Sequence, residues 1–263
     1  MRQMGRLKNT DKYNSAIFIS AAGKGTRMNT LTKNTPKALL NLYGQPMVDY
    51  ICKYISDKNI FNRAIISYGY CRDKWQEFII RYKDCIDFLD YSLNPDIIYS
   101  FMDSIKKINE EHILFINCDT IFDFEIIEDI LKKHIEHNND LTILLNKSNN
   151  YSYKKWDYIL DGDSLIDIRK EKRKTNIEKY FFIVKKSILS DFTKEFTVNL
   201  GNSEEDIYNF DEFNNGCTCL IKSILDHRRY SVKVSFLAQK MFNINNKEIL
   251  LKAKKYIKEN HLA

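Results

Sequence analysis

The sequence predicts an α/β fold with a mostly parallel central sheet and helices on both faces. Three observations carry this. Short apolar runs rich in β-branched residues alternate with helix-period segments through the first half. A polar, glycine-containing loop follows the first apolar run directly. From about residue 150 the rhythm changes to short strands around a turn, so the second half should add a small antiparallel excursion.

Taken in order, Ala16–Ala21, Arg63–Tyr68, Ile86–Tyr91, His112–Asn117 and Leu141–Leu145 are the strand candidates. Helices are expected between them over Met47–Asp57, Arg72–Lys83, Ile98–Asn109 and Phe124–His137. In the last, Phe124, Ile127, Ile130, Leu131 and Ile135 share one face, with Asp123 placed to cap it. Beyond residue 150, "WDYILDGDSLIDIRKE" predicts two strands around an Asp161-Gly162 turn. A strand at Tyr180–Val184 and a helix from Lys186 should follow. Phe210–Asp226 has helical character apart from Gly216, "YSVKVSFL" alternates as a strand does, and Lys247–Glu259 should close the chain as an amphipathic helix.

Composition bounds the function. An apolar content of 44% with 16 Tyr and 16 Phe excludes a disordered chain. No apolar run reaches the roughly 18 residues a membrane span needs, and "MRQMGRLKNTDKYN" lacks the apolar centre of a signal peptide. The six Cys are scattered and suit reduced thiols in a cytoplasm; Cys217 and Cys219 have no partner pair at zinc spacing. A net charge of +6 favours anionic ligands. The densest basic stretch, Arg169–Lys179, is diluted by Glu171 and Glu178 and has no interleaved aromatics, so no nucleic-acid partner is expected.

The loop in "AIFISAAGKGTRMNTLTKNTPKALLNL" is the chemical signal. Following a strand of a parallel sheet, it sits at the carboxyl edge where such folds bind ligands. Gly23 and Gly25 let backbone N–H groups approach an anion, and Lys24, Arg27 and Lys37 surround that nest with positive charge. It is neither a Walker A loop nor G-x-G-x-x-G, since no Gly-Lys-Ser/Thr follows and position 28 is Met. A phosphate-binding loop is the reading that accounts for its length and charge.

The stretch "AAGKGTRMNTLTKNTPKALLNLYGQPMVDY" resembles the signature of the nucleotidyltransferases that make NDP-sugars and CDP-alcohols. "FINCDTIFD", "LIDIRKEKRKTNIEKYFFIVKKSIL" and "MFNINNKEILLKAKKYI" are similar to later segments of that family. The resemblance implies a Rossmann-like, GT-A-like fold. It divides the chain into an N-terminal extension (1–14) and one domain (15–263), with a nucleotide-binding half (15–148) and an acceptor-binding half (149–263). It further implies a cytoplasmic enzyme, open to homo-oligomer formation, that condenses an NTP with a small phosphorylated acceptor and releases pyrophosphate.

Carried onto this chain, the resemblance has Ala21, Ala22, Gly23, Lys24, Gly25, Thr26 and Arg27 bind the nucleotide. Backbone N–H groups of Ala22 to Thr26 would cradle the triphosphate, with Arg27 on the β- and γ-phosphates. Lys37 would lie between the α-phosphate and the attacking phosphate. Asp119, just past a strand, would hold Mg²⁺, with Asn243 where many members place a second acidic ligand; Asp211 and Glu212 are alternative acids. Lys172 in "KEK" matches the lysine that contacts the acceptor phosphate. Asn94 and Ser100 fall where the family approaches the base and acceptor, in "SLNPDIIYSFMDSI", which lacks the usual glycine-rich segment. That departure and the P-K-A-L spelling tilt the resemblance toward the phosphocholine cytidylyltransferase branch. CTP would then be the donor, and the acceptor phosphocholine-like, an aminoethylphosphonate or a phosphorylated amino acid, for decoration of a surface glycan or lipid. A sugar 1-phosphate acceptor and a non-catalytic nucleotide-binding protein are the alternatives.

Overall fold

A computed structural model describes residues 13–153, 156–170, 174–198, 216–237 and 240–260. Its centre is a nine-stranded sheet in the order β5-β4-β1-β6-β11-β8-β12-β10-β9. The strands are β1 (Ser15–Ser20), β4 (Arg63–Tyr68), β5 (Asp87–Asp90), β6 (His112–Asn117), β8 (Leu141–Tyr153), β9 (Trp156–Asp161), β10 (Ser164–Lys170), β11 (Lys174–Lys185) and β12 (Val232–Leu237). Four neighbours, β5, β4, β1 and β6, run parallel. Strand β11 then turns antiparallel against β6 and β8, while β12 returns to parallel pairing with β8. The hairpin β9–β10 closes the far side, with Gly162 in the left-handed region (φ 58°) at its turn. Two short ribbons, β2–β3 (Asn41–Leu42, Gln45–Pro46) and β7–β13 (Thr120–Ile121, Phe242–Asn243), stand apart from the sheet.

The two-residue period of a strand sorts β1 between two cores. Ile17 and Ile19 join one apolar cluster with helices α1 (Asp49–Lys58), α2 (Gln76–Tyr82), α4 (Ile126–Glu136) and α7 (Lys247–Asn260). Ala16 and Phe18 face the other, filled from α3 (Ile97–Ile105), α5 (Lys186–Val198) and α6 (Gly216–Asp226). Both faces of β1 are therefore covered, which is why it is an unbroken apolar run rather than an alternating one. Phe18, Phe101, Phe115 and Phe182 stack through the second core with ring centroids 5.0 to 5.9 Å apart.

Several boundaries differ from expectation. Strand β8 runs to Tyr153, past Leu145, and β11 begins at Lys174, before Tyr180. The two pair with each other out to Lys174 opposite Tyr153, so a backbone ladder extends them beyond the apolar pattern. Helix α2 is preceded by a 3₁₀ turn over Arg72–Trp75. Helix α4 starts at Ile126, and the Asp123 carboxylate accepts the Glu125 N–H at 3.1 Å, closing the turn before the helix instead of capping it. The expected Phe210–Asp226 helix is α6 from Gly216 onward; its earlier part lies outside the described residues.

Candidate active site

The loop after β1 is fastened on both sides. The Ala21 N–H donates to the Ser67 carbonyl (3.0 Å), and the Tyr70 N–H to the Ala22 carbonyl (3.3 Å), so the end of β4 braces its first two residues. Tyr70 also donates its hydroxyl to the Lys33 carbonyl (2.6 Å), tying down the far limb. Ala21 and Ala22 are buried, whereas Gly23, Lys24, Thr26 and Arg27 are exposed. Arg27 and Lys24 make no hydrogen bond or ion pair among the described residues, which leaves both cations available to an anion.

The two glycines differ. Gly25 is left-handed (φ 63°), and its carbonyl accepts from the Met28 N–H and the Thr32 hydroxyl, both at 2.9 Å. A Cβ there would come within 2.9 Å of Lys37 Cβ, so Gly25 is the seat of the Lys37 stem. A Cβ on Gly23 would meet nothing within 4 Å. Among the described residues nothing requires glycine at position 23, whereas Gly25 is required by its own backbone and by the Lys37 stem.

Pro36 sets up a 3₁₀ turn over Lys37–Leu39, and this carries the buried Lys37 side chain beneath the loop. Its ammonium pairs with the Asp119 carboxylate and donates to Asn245 Oδ1 at 3.0 Å. Asp119 arrives from β6: the Cys118 N–H donates to the Ser20 carbonyl (3.0 Å), holding the ends of β1 and β6 together. The glycine loop and Asp119 thus share one sheet edge.

Strand β13 completes the cluster. Pairing of β13 with β7 sets Asn243 opposite Thr120, and the Ile244 N–H donates to the Asp119 carbonyl (2.9 Å). Asn243 Oδ1 accepts from Asn245 Nδ2 at 2.7 Å. Lys37, Asp119, Asn243 and Asn245 form one polar group. Asp119 Oδ1 is buried without a hydrogen-bond partner in it. Such an atom costs about 1–3 kcal/mol unless something meets it, and a hard cation does so. One carboxylate oxygen with an amide oxygen nearby fits a Mg²⁺ that takes its other ligands from phosphates and water. Among the described residues no group of three or more His, Cys, Asp or Glu could cage a metal unaided. Burial pushes the neighbouring Cys118 thiol well up, so it stays protonated.

Asn94 and Ser100 fare differently. The loop after β5 reaches this edge because Gly69 permits it: a Cβ there would lie 2.9 Å from the Ser92 backbone nitrogen. Asn94 sits half-buried in that loop, its N–H donating to the Tyr91 carbonyl at 3.1 Å. Ser100 is fully buried within α3, and its hydroxyl donates to the Ile97 carbonyl at 3.1 Å. A helix serine commonly folds its hydroxyl back on the preceding turn in this way. Lys172, Asp211 and Glu212 lie outside the described residues. Asn245 and Tyr70 were not foreseen; the only trace of the first is a second Asn in "NINN", one strand period after Asn243.

The chain is similar to known proteins in sequence and in fold. Choline-phosphate cytidylyltransferase of Streptococcus pneumoniae is 34% identical over 83 residues, 32% of this chain and 36% of that one. A 2-aminoethylphosphonate cytidylyltransferase of Lancefieldella rimae is 29% identical over 109 residues, 40% and 44% of the two chains. Both matches thus span less than half of the relative's length. In structure, the fold is shared with the CTP:phosphocholine cytidylyltransferase of S. pneumoniae (TM-score 0.68, 19% identity, 92% and 98% of the chains). It is shared equally with the inositol-1-phosphate CTP transferase of T. maritima (TM-score 0.69, 18% identity, 94% and 97%). The family model for nucleotidyl transferases matches residues 17–172, more than half of the chain. The chain belongs to the nucleotidyl transferase family.

Proposed function

We propose that the protein is a Mg²⁺-dependent cytidylyltransferase, moving CMP from CTP to a small phosphorylated acceptor in the cytoplasm. The observation that supports it best is the convergence of the exposed glycine loop, Lys37 and an under-satisfied Asp119 on one sheet edge. The named cytidylyltransferase relatives favour CTP among the nucleotides.

In the proposed reaction an acceptor phosphate oxygen bonds to the α-phosphorus. The bond to the β-phosphate oxygen breaks, and pyrophosphate leaves. Aligning two anions and offsetting their repulsion is most of the work. The N–H groups of Ala22 to Thr26 cradle the triphosphate. Arg27, with its planar fork, grips the β- and γ-phosphates. Lys37 screens the meeting of α-phosphate and acceptor, and Asn245 with Asp119 fixes its ammonium there. Asp119 and Asn243 would hold Mg²⁺, which supplies further charge neutralisation when bound.

The test is pyrophosphate release with each of four NTPs against phosphocholine, 2-aminoethylphosphonate, phosphoserine and glucose 1-phosphate. CTP with a non-sugar acceptor is expected to give the highest kcat/KM. Turnover confined to a sugar 1-phosphate with another NTP would replace this reading by NDP-sugar synthesis. No turnover together with tight CTP binding would make the protein a nucleotide binder.

A further inference from the structure

Three of the lysines drawn into this protein have an acidic neighbour. Lys37 has Asp119, Lys185 has Asp140 at 2.9 Å, and Lys222 has Asp167 at 3.0 Å. Lys179 is half-buried and makes no hydrogen bond or ion pair among the described residues. Its ammonium lies 5.9 Å from the Phe182 ring centroid, near the buried thiols Cys217 and Cys219 at the start of α6. Burial holds it below the usual lysine range. With no counter-charge among the described residues, a cation withdrawn from water is unfavourable there, so the position is one that an anion would relieve.

Its place on the sheet says which anion. In the antiparallel pairing of β11 with β6, Phe181 stands opposite Ile116. Two residues earlier, Lys179 is level with the end of β6, where Asp119 follows. Strand β6 lies between β1 and β11. The edge therefore presents, in order, the glycine loop after β1, Asp119 after β6 and Lys179 on β11. In-line displacement sets nucleophile and leaving group on opposite sides of the α-phosphorus. With pyrophosphate over the β1 loop and the α-phosphate beside Lys37 and Asp119, the acceptor comes in over β11.

We propose that Lys179 is the residue that selects the acceptor, receiving an acidic group at its far end and disfavouring acceptors that end in a cation. This rests on the transferase reading above and sharpens it. Within the class of small phosphorylated acceptors, it favours those that carry a carboxylate or second acid over those that carry a quaternary ammonium. A lysine in that position repels a trimethylammonium head, whereas a recognition site for one would place aromatic faces and carboxylates there.

The experiment compares the wild type with Lys179→Met, which keeps the stem against Phe182, and with Lys179→Arg, which keeps the charge. CTP affinity without acceptor is measured first and should be the same in all three. Transfer is then followed with phosphoglycolate (carboxylate end), 2-hydroxyethyl phosphate (neutral end) and phosphocholine (cationic end). The wild type should prefer phosphoglycolate to phosphocholine by about tenfold or more in kcat/KM, the usual scale of a charge-assisted hydrogen bond. Lys179→Met should erase that preference and Lys179→Arg retain most of it. A wild type that prefers phosphocholine, or a Lys179→Met enzyme with unchanged or uniformly lowered rates on all three, overturns the assignment while the transferase reading stands. Absence of transfer by the wild type from any NTP to any of these acceptors or those of the earlier panel overturns both.

Discussion

Strand β6 has a buried ionisable pair at each end, and the two are built on opposite principles. Past its carboxyl end, Asp119 and Lys37 form an ion pair that Asn245 supports, with one carboxylate oxygen left over. At its amino end, His112 lies edge-on to His134 with ring centroids 5.1 Å apart. Burial, with His112 and Lys185 nearby, holds His134 down to about 3, and burial likewise lowers His112. His134 Nδ1 is 2.8 Å from the Thr142 hydroxyl, while its Nε2 is buried without a partner. One end of the strand keeps charge where a ligand could use it. The other excludes charge and only packs.

If that contrast is right, the largest effect comes from the carboxyl end. Asp119→Asn should lower single-turnover transfer by about 10²–10³-fold. The fold should survive, since Asn still offers an oxygen to Lys37; a thermal melt run beside the kinetics checks this. Undiminished transfer would take Asp119 out of the site and dissolve the contrast.

A smaller effect, on stability alone, belongs to the amino end. The folded His134 stays neutral down to about pH 3, whereas an unfolded histidine takes a proton near pH 6.5. Its contribution is present above pH 6.5 and is lost as pH falls from there toward 3. By pH 5 the loss reaches about 2 kcal/mol, and His112 adds in the same direction. His134→Leu leaves Thr142 with Asn139 as partner and should flatten this dependence. Urea unfolding at pH 7.5 and 5.0 measures it; equal losses in both proteins would assign the pH response elsewhere.

The finest distinction lies within the glycine loop. Gly25→Ala forces a side chain into a left-handed position and against the Lys37 stem. It should cost about 1–2 kcal/mol of stability and slow transfer through Lys37. Gly23→Ala puts its methyl into open space, so stability should move by less than about 0.5 kcal/mol while CTP affinity falls. Calorimetric melting and CTP titration separate them, and identical behaviour would show that both glycines do one job.

Much of this edge was legible because its chemistry demands particular residues. Gly25 had to be glycine, and an acid directly after an apolar strand had to fall at the same edge as the loop. Resemblance, not periodicity, brought Asn243 near Asp119, and the β7–β13 ribbon that does so is too short to leave a pattern. Lys179 went unnoticed as a separate feature because it ends a basic run, and only the sheet register takes it out of that run. The setting of Ser100 was hidden for the reverse reason: the neighbouring letters resemble a motif, and helix α3 turns its hydroxyl inward. The long arms of β8 and β11 were invisible because a backbone ladder leaves no mark on side-chain pattern.

The bond from Lys37 to Asn245 joins residues 208 positions apart. The four parallel strands have their partners within the first 117 residues and can pair early during synthesis. The β13 ribbon cannot, because closing so long a loop is slow and waits for Phe242 and Asn243 to be made. The site is therefore assembled after those strands, onto a platform that already exists. A ribosome paused before residue 240 would hold a largely formed nucleotide platform with Lys37 not yet locked. Proteolysis that detaches β13 and α7 should silence the protein and open its first core together.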